Sequence, residues 1–251
     1  MNAVVVENLH KDFCLSHDQP GSLKALALYF RRTRQENIHA LNGVSFTIPA
    51  GQTVAIIGRN GSGKSTLLSV MSRVYKPTSG SVEMNGRVSG LLELGAGFHP
   101  ELTGIENIYL NGSIMGMSRR EIKDSFDQIV CFAELEKFID APIRTYSNGM
   151  VMRLGFSIAI QVNPDILLVD EVLAVGDEAF QHKCYDKVRE FQRAGKTIVF
   201  VSHDLQAIRE VATRVIWLDS GEIHSDGEVD TVLAEYLGHP AVDSCGRSSD
   251  G

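Results

Sequence analysis

The run Gly58-Arg59-Asn60-Gly61-Ser62-Gly63-Lys64-Ser65 follows an apolar, β-branched segment, Val54 to Ile57, and precedes a helix-forming one that starts at Thr66-Leu67-Leu68. Its spacing is GxxxxGK[ST], and it constrains the fold more than any other feature, because a strand must deliver the loop and a helix must leave it. Glycines let successive backbone N–H groups converge on one point, and the helix N-terminus adds partial positive charge there. The loop is therefore built to hold phosphate. The spacing assigns Lys64 to the β- and γ-phosphates of a nucleotide and the Ser65 hydroxyl to Mg²⁺, with Gly58, Arg59, Asn60, Gly61, Ser62, Gly63 and Thr66 completing the cradle.

About a hundred residues on, Ile166-Leu167-Leu168-Val169-Asp170-Glu171 reads as a buried strand ending in two carboxylates. Beside a phosphate loop, Asp170 suits the metal, and Glu171, one step further, suits the attacking water. Two more β-branched runs, Ile198 to Val201 and Val215 to Leu218, alternate with helical periodicity, which implies an α/β domain with a largely parallel sheet. From about residue 101 to 160 strand character disappears. Thr103 with Glu106 and Ser118 with Glu121 have capping-box spacing, and Ile122, Phe126, Ile129 and Ala133 recur at helical intervals, so two helices of a helical subdomain are expected there. Val4 to Phe13 and Val44 to Ile48 read as strands of a smaller second sheet, interrupted from Leu15 to Asn37. Asp219-Ser220-Gly221 reads as a turn into Glu222 to His224.

Composition excludes other classes. The 251 residues are 43% hydrophobic and 22% charged, as in ordinary globular domains. Six residues, Ala25 to Phe30, make the longest apolar run, where a membrane helix needs about 20. No secretory signal opens the chain, which implies a cytoplasmic protein. Cys14, Cys131, Cys184 and Cys245 show no CxxC spacing and read as ordinary thiols. A net charge of −7 argues against a nucleic-acid partner. The Ser/Gly/Asp-rich residues 240 to 251 read as a disordered tail after a domain of residues 1 to 239.

In order and spacing these elements resemble the nucleotide-binding subunits of ABC transporters. Tyr146-Ser147-Asn148-Gly149-Met150 stands where that family has its LSGGQ signature; Ser147 and the second glycine, Gly149, remain, while Leu, the first Gly and Gln are replaced. The resemblance implies an ABC-type nucleotide-binding domain: a P-loop NTPase (RecA-like) core with a small antiparallel β subdomain and the helical subdomain. It implies ATP as ligand, hydrolysis, and a head-to-tail homodimer in which Ser147, Asn148 and Gly149 meet the ATP held by the other copy. It also identifies His203 as the switch histidine contacting the γ-phosphate, and Asp177 as the end of the D-loop, whose usual serine is Ala174 here.

The departures point to a branch. Leu91-Leu92-Glu93-Leu94-Gly95-Ala96-Gly97-Phe98-His99-Pro100-Glu101-Leu102-Thr103-Gly104 replaces the usual glutamine loop, and with Tyr-Ser-Asn-Gly-Met and Glu-Val-Leu-Ala-Val-Gly-Asp it resembles the ATPases that export O-antigen, capsular polysaccharide or teichoic acid. That implies an integral-membrane permease as partner, a lipid-linked polysaccharide as indirect substrate, and a peripheral place on the cytoplasmic face of the inner membrane. Another ABC exporter, of lipid or drug, and a non-transport ATP-gated module are the alternatives. A soluble P-loop kinase or GTPase is weaker, since no NKxD guanine signal is present. Three residue-level expectations follow: Phe13 stacks on adenine, with Tyr29 and His39 as other candidates; Glu93 senses Mg²⁺ or the attacking water; and Leu94 to Gly104 faces the permease. Leu23, Leu26, Ala27 and Phe30, with Lys24, Arg31, Arg32 and Arg34, suggest a basic amphipathic helix in the interruption.

Overall fold

The structure, a computed structural model, describes residues 1–16, 35–91, 97–170 and 177–239. Strands β1 (Asn2–Ser16) and β2 (Gln35–Pro49) form an antiparallel hairpin. After β3 (Thr53–Ile57) and helix α1 (Lys64–Met71), strand β4 (Ser79–Met84) returns to the free edge of β1, giving a three-stranded sheet in the order β2-β1-β4. The hairpin is longer than the sequence suggests. Leu15 pairs with Glu36 and Ser16 with Gln35, inside both ends of the interruption expected from Leu15 to Asn37, and β2 begins nine residues before Val44. Gln35 to Asn37 carry no strand preference of their own; ladder bonds to β1 supply the order. The candidate amphipathic helix with Tyr29, the residues Glu93 and Glu171, and the tail from residue 240 lie outside the described residues.

After β5 (Val88–Leu91) come helices α2 (Gly104–Ile114), α3 (Arg119–Ala133) and, past a 3₁₀ turn, α4 (Asn148–Gln161). The chain then alternates through β6 (Ile166–Asp170), α5 (Glu178–Arg193), β7 (Thr197–Val201), α6 (Leu205–Val211) and β8 (Arg214–Asp219), and closes with β9 (Glu222–Gly227) and α7 (Val229–Gly238). The large sheet has the order β5-β6-β7-β3-β8-β9, parallel except for β9.

Strands β3, β6, β7 and β8 are apolar on both faces because both are covered. Val54, Ile56, Leu168, Val199, Val201, Ile216 and Leu218 face α1 and the small sheet, while Ala55, Ile57, Leu167, Val169, Ile198, Phe200 and Val215 face α4, α5 and α7. Each such side chain taken fully from water contributes about 1.5–3 kcal/mol. Helix α4 belongs to two cores at once. Its Phe156, Ala159 and Ile160 pack on the sheet, and its Leu154 and Ile158 pack with Ile108, Ile122, Ile129 and Ala133 of α2 and α3. Both expected capping boxes form: Thr103 and Glu106 exchange hydrogen bonds at the start of α2, as do Ser118 and Glu121 at the start of α3. Among the described residues no helix is long and apolar enough to cross a membrane.

Candidate nucleotide site

The phosphate loop occupies the turn between β3 and α1, and its glycines answer to backbone conformation and, at Gly58 and Gly63, to what lies around them. Gly58, Gly61 and Gly63 have φ of 151°, 80° and 102°. A Cβ on Gly58 would lie 2.2 Å from the Leu218 carbonyl oxygen, and one on Gly63 would lie 2.5 Å from that of Ala40. The loop is thus held between the end of β8 and the middle of β2. Within it the Ser62 amide donates to the Arg59 carbonyl (3.1 Å), and the Ser62 carbonyl accepts from the Gly221 amide (3.1 Å) in the β8–β9 turn. Lys64, 6% exposed, donates its Nζ to the carbonyls of Gly58 (2.8 Å) and Arg59 (3.0 Å), which centres the ammonium on the loop. The Ser62 hydroxyl is buried without a protein partner beside Gly58, an unused donor within the loop.

Strand order brings the other sequence-derived groups to the same rim. Asp170 pairs with Val201, and Val201 pairs with Ile56, so the ends of β6, β7 and β3 are level across three adjacent strands. Gly58 lies two residues beyond Ile56 and His203 two residues beyond Val201, at the carboxyl edge where ligands of open α/β sheets bind. Asp204 caps α6, accepting from the amides of Gln206 and Ala207, and this fixes the turn that carries His203. Ser65 is exposed at the first turn of α1. Its hydroxyl at the start of α1 and the Asp170 carboxylate at the end of β6 are both oxygen donors, the chemistry that a hard cation such as Mg²⁺ takes.

A second group lies at the start of α4. Ser147 is its N-cap, accepting from the Met150 amide (3.2 Å), followed by Asn148 and Gly149, where an added Cβ would only touch the Ser147 hydroxyl at 3.8 Å. A cavity of about 490 Å³ is lined by Ser147, Gly149, Met150, Arg153, Glu134 and Asp177, with Leu135 and Phe138 at its apolar side. Asp177 caps α5, and its carboxyl is held below the usual carboxylate range, first by the Phe180 amide and then by the Arg153 guanidinium. Sequence reasoning missed this ion cluster: Arg153 bonds Asp177 (2.6 Å) and Glu134 (2.9 Å), and Lys183 also bonds Glu134. No local spacing announces a contact among residues 134, 153 and 177. It also read Asp219 to Gly221 as a turn without linking it to the loop that it braces. Behind the cluster, burial pushes the Cys184 thiol up to about 12, which leaves it an inert core residue.

Phe13, half-buried on β1, meets Tyr75 edge to face with centroids 5.3 Å apart, and the Lys11 ammonium sits 4.9 Å above its ring. His39 pairs with Asp12 at 2.7 Å, and since neighbouring strand residues face opposite ways, it stands on the other face from Phe13.

The sequence pattern of the family described as "ABC transporter" matches residues 41–174, more than half of the chain. The O-antigen export system ATP-binding protein of Klebsiella pneumoniae is 46% identical over 91% of this chain and 95% of its own length. That of Myxococcus xanthus is 47% identical over 94% of this chain, which spans only 56% of that longer protein. The teichoic acids export ATP-binding protein of Staphylococcus haemolyticus is 40% identical over 93% of this chain and 88% of its own. Among solved structures, a dimeric ATP-binding cassette in a post-hydrolysis state, bound to ADP and Pi, superimposes with a TM-score of 0.72 at 25% identity, covering 90% of this chain and 98% of that one. With the phosphate loop, the α4 N-terminus and the β6 carboxylate all inside the matched span, the chain belongs to the ABC transporter family as one of its ATP-binding cassettes.

Proposed function

We propose that the chain is the ATP-hydrolysing subunit of an exporter that moves a lipid-linked polysaccharide, of the O-antigen, capsule or teichoic acid class, through a separate membrane permease. The observation that carries the hydrolytic part is the level arrangement of the phosphate loop, Asp170 and the His203 turn on three adjacent strand ends. The loop amides and Lys64 bind the β- and γ-phosphates and hold the nucleotide in line for attack. Ser65 and Asp170 would hold Mg²⁺, which would supply positive charge to the phosphates. Glu171 takes a proton from the attacking water and His203 contacts the γ-phosphate, so that ATP and water give ADP and phosphate. Two copies close head to tail, with the partner's Ser147, Asn148 and Gly149 against the γ-phosphate and the helix N-terminus supplying positive potential.

Residues 1 to 239 act as one nucleotide-binding domain. The helical layer, about 101 to 160, and the segment Leu94 to Gly104 face the permease at the cytoplasmic side of the membrane, and Glu93 reports the state of the site to it. The names of the export relatives support the substrate class.

Phosphate release by the purified chain tests hydrolysis, and surface-polysaccharide staining of a deletion strain complemented with variants tests export. Lys64→Ala is expected to lose most ATP affinity. Glu171→Gln is expected to keep ATP, lose about 10²–10⁴ in turnover and accumulate as an ATP-bound dimer. Normal turnover in Glu171→Gln removes that residue from its role; wild-type surface polysaccharide in the deletion strain rejects the export reading.

A further inference from the structure

The ion cluster at Arg153 joins three helices that sequence order keeps apart. Glu134 is the C-cap of α3 and adopts a left-handed conformation, φ 59°, that a non-glycine residue rarely takes. Arg153 lies one turn into α4, and Asp177 and Lys183 belong to the start of α5. The Arg153 side chain is only 17% exposed and spends both arms of its guanidinium on different helices, Nη1 on Glu134 and Nη2 on Asp177. Beneath it the same three helices meet again through aromatic rings. Phe132 of α3, Phe156 of α4 and Phe180 of α5 have centroids 5.6 to 6.1 Å apart, and the guanidinium lies 4.9 Å over the Phe180 ring. An apolar layer therefore fixes the distance between helices, and a charged layer fixes their rotation, because a planar two-armed donor is satisfied in one orientation only.

Ser147 at the α4 cap and Asp177 at the α5 cap both open onto the 490 Å³ cavity, and Arg153 lines its floor. We infer that Arg153 is a positioning residue that locks the Ser147–Gly149 turn and the Asp177 turn into one unit, so that both present themselves together to the nucleotide held by a second copy. This rests on the reading of Ser147 to Gly149 as the surface that meets the other copy's ATP and of Asp177 as the end of the D-loop. The side-chain contacts of Arg153 run to Glu134, Asp177 and Phe180, whereas Lys64 of the phosphate loop bonds the carbonyls of Gly58 and Arg59. The two functions separate: binding in the loop is independent of Arg153, and closure of the dimer depends on it.

The test uses the full chain, with a fluorescent ATP analogue for binding, sedimentation for ATP-driven dimerisation in the Glu171→Gln background, and steady-state phosphate release. Arg153→Gln is expected to leave analogue affinity within twofold while lowering dimerisation and kcat by about tenfold or more, as small misplacements at reacting sites do. Arg153→Lys, which keeps the charge and loses the fork, should recover part of that loss. Glu134→Gln, changed at the half-exposed partner, should show the same pattern more weakly, and keeps the question open to measurement if Arg153→Gln folds poorly. Dimerisation and kcat within twofold of wild type in Arg153→Gln overturn the inference, as does a parallel fall of analogue affinity and thermal midpoint, which marks plain packing. Ser147→Ala, measured alongside, separates the two levels. If it impairs dimerisation and the Arg153 variants do not, the inference alone fails; if it has no effect, the reading of the α4 turn fails and the inference with it.

Discussion

Phe13 sits in a position that only its neighbours explain. Tyr75 meets its ring at a steep angle and the Lys11 ammonium lies over the ring, so its remaining surface is what a base can use. Base stacking on an aromatic ring is worth about 1–3 kcal/mol. Phe13→Ala should therefore raise the Kd for ATP about tenfold or more, and for GTP by a similar factor, since a stack does not read exocyclic groups. A titration with a fluorescent analogue checks this; unchanged affinity in a folded variant assigns the base elsewhere. The loop between β3 and α1 was legible from sequence because eight consecutive positions carry its pattern. The surroundings of Phe13 were not, since they depend on Tyr75, more than sixty residues away.

Among the elements, the two capped helices show what local sequence can specify. Ser118 and Glu121 trade hydrogen bonds over four residues, Glu121 Oε2 accepting from the Ser118 amide at 2.6 Å and Ser118 Oγ from the Glu121 amide at 3.2 Å. Ser118→Ala should cost about 1 kcal/mol of stability, read as a lower urea midpoint with an unchanged slope, and leave ATP affinity as it was. No drop in midpoint means that tertiary packing alone sets the start of α3. Strands β4 and β5 give no comparable signal. Ser79-Gly80-Ser81 opens β4 and Gly90 interrupts β5; both are strands because β1 and β6 offer them ladders. The Arg153 cluster was illegible for the same reason, as its three helices meet only in the folded chain.

At the scale of the molecule, a set of carboxylates is held below the ordinary range by folding: Glu106 by Thr103, Glu121 by Ser118, Glu134 by Lys183 and then Arg153, Asp165 by the Arg87 amide, and Asp177 by the Phe180 amide. The folded state favours their charged forms. The stability they contribute is complete above the unfolded carboxylate values near 4 and is lost as pH falls through the lower folded values. Thermal midpoints should then change little between about pH 6 and 8 and fall at pH 4 and below, with Glu121→Gln showing a shallower acid limb. A midpoint equal at pH 4 and pH 7 contradicts this.

The order β5-β6-β7-β3-β8-β9 also dictates when the site can exist. Strand β3, which delivers the phosphate loop, lies between β7 and β8, and these enter the sequence only at residues 197 and 214. The carbonyl of Leu218 and the amide of Gly221, which shape the loop, come later still. The loop's own residues are synthesised more than 130 residues before the start of β7, and until then their strand has no neighbour on either side. Contacts this distant in sequence form late in folding. A growing chain is therefore blind to ATP until β7 and β8 have been made, and the nucleotide acts as a ligand of the folded domain rather than as a nucleus for its folding.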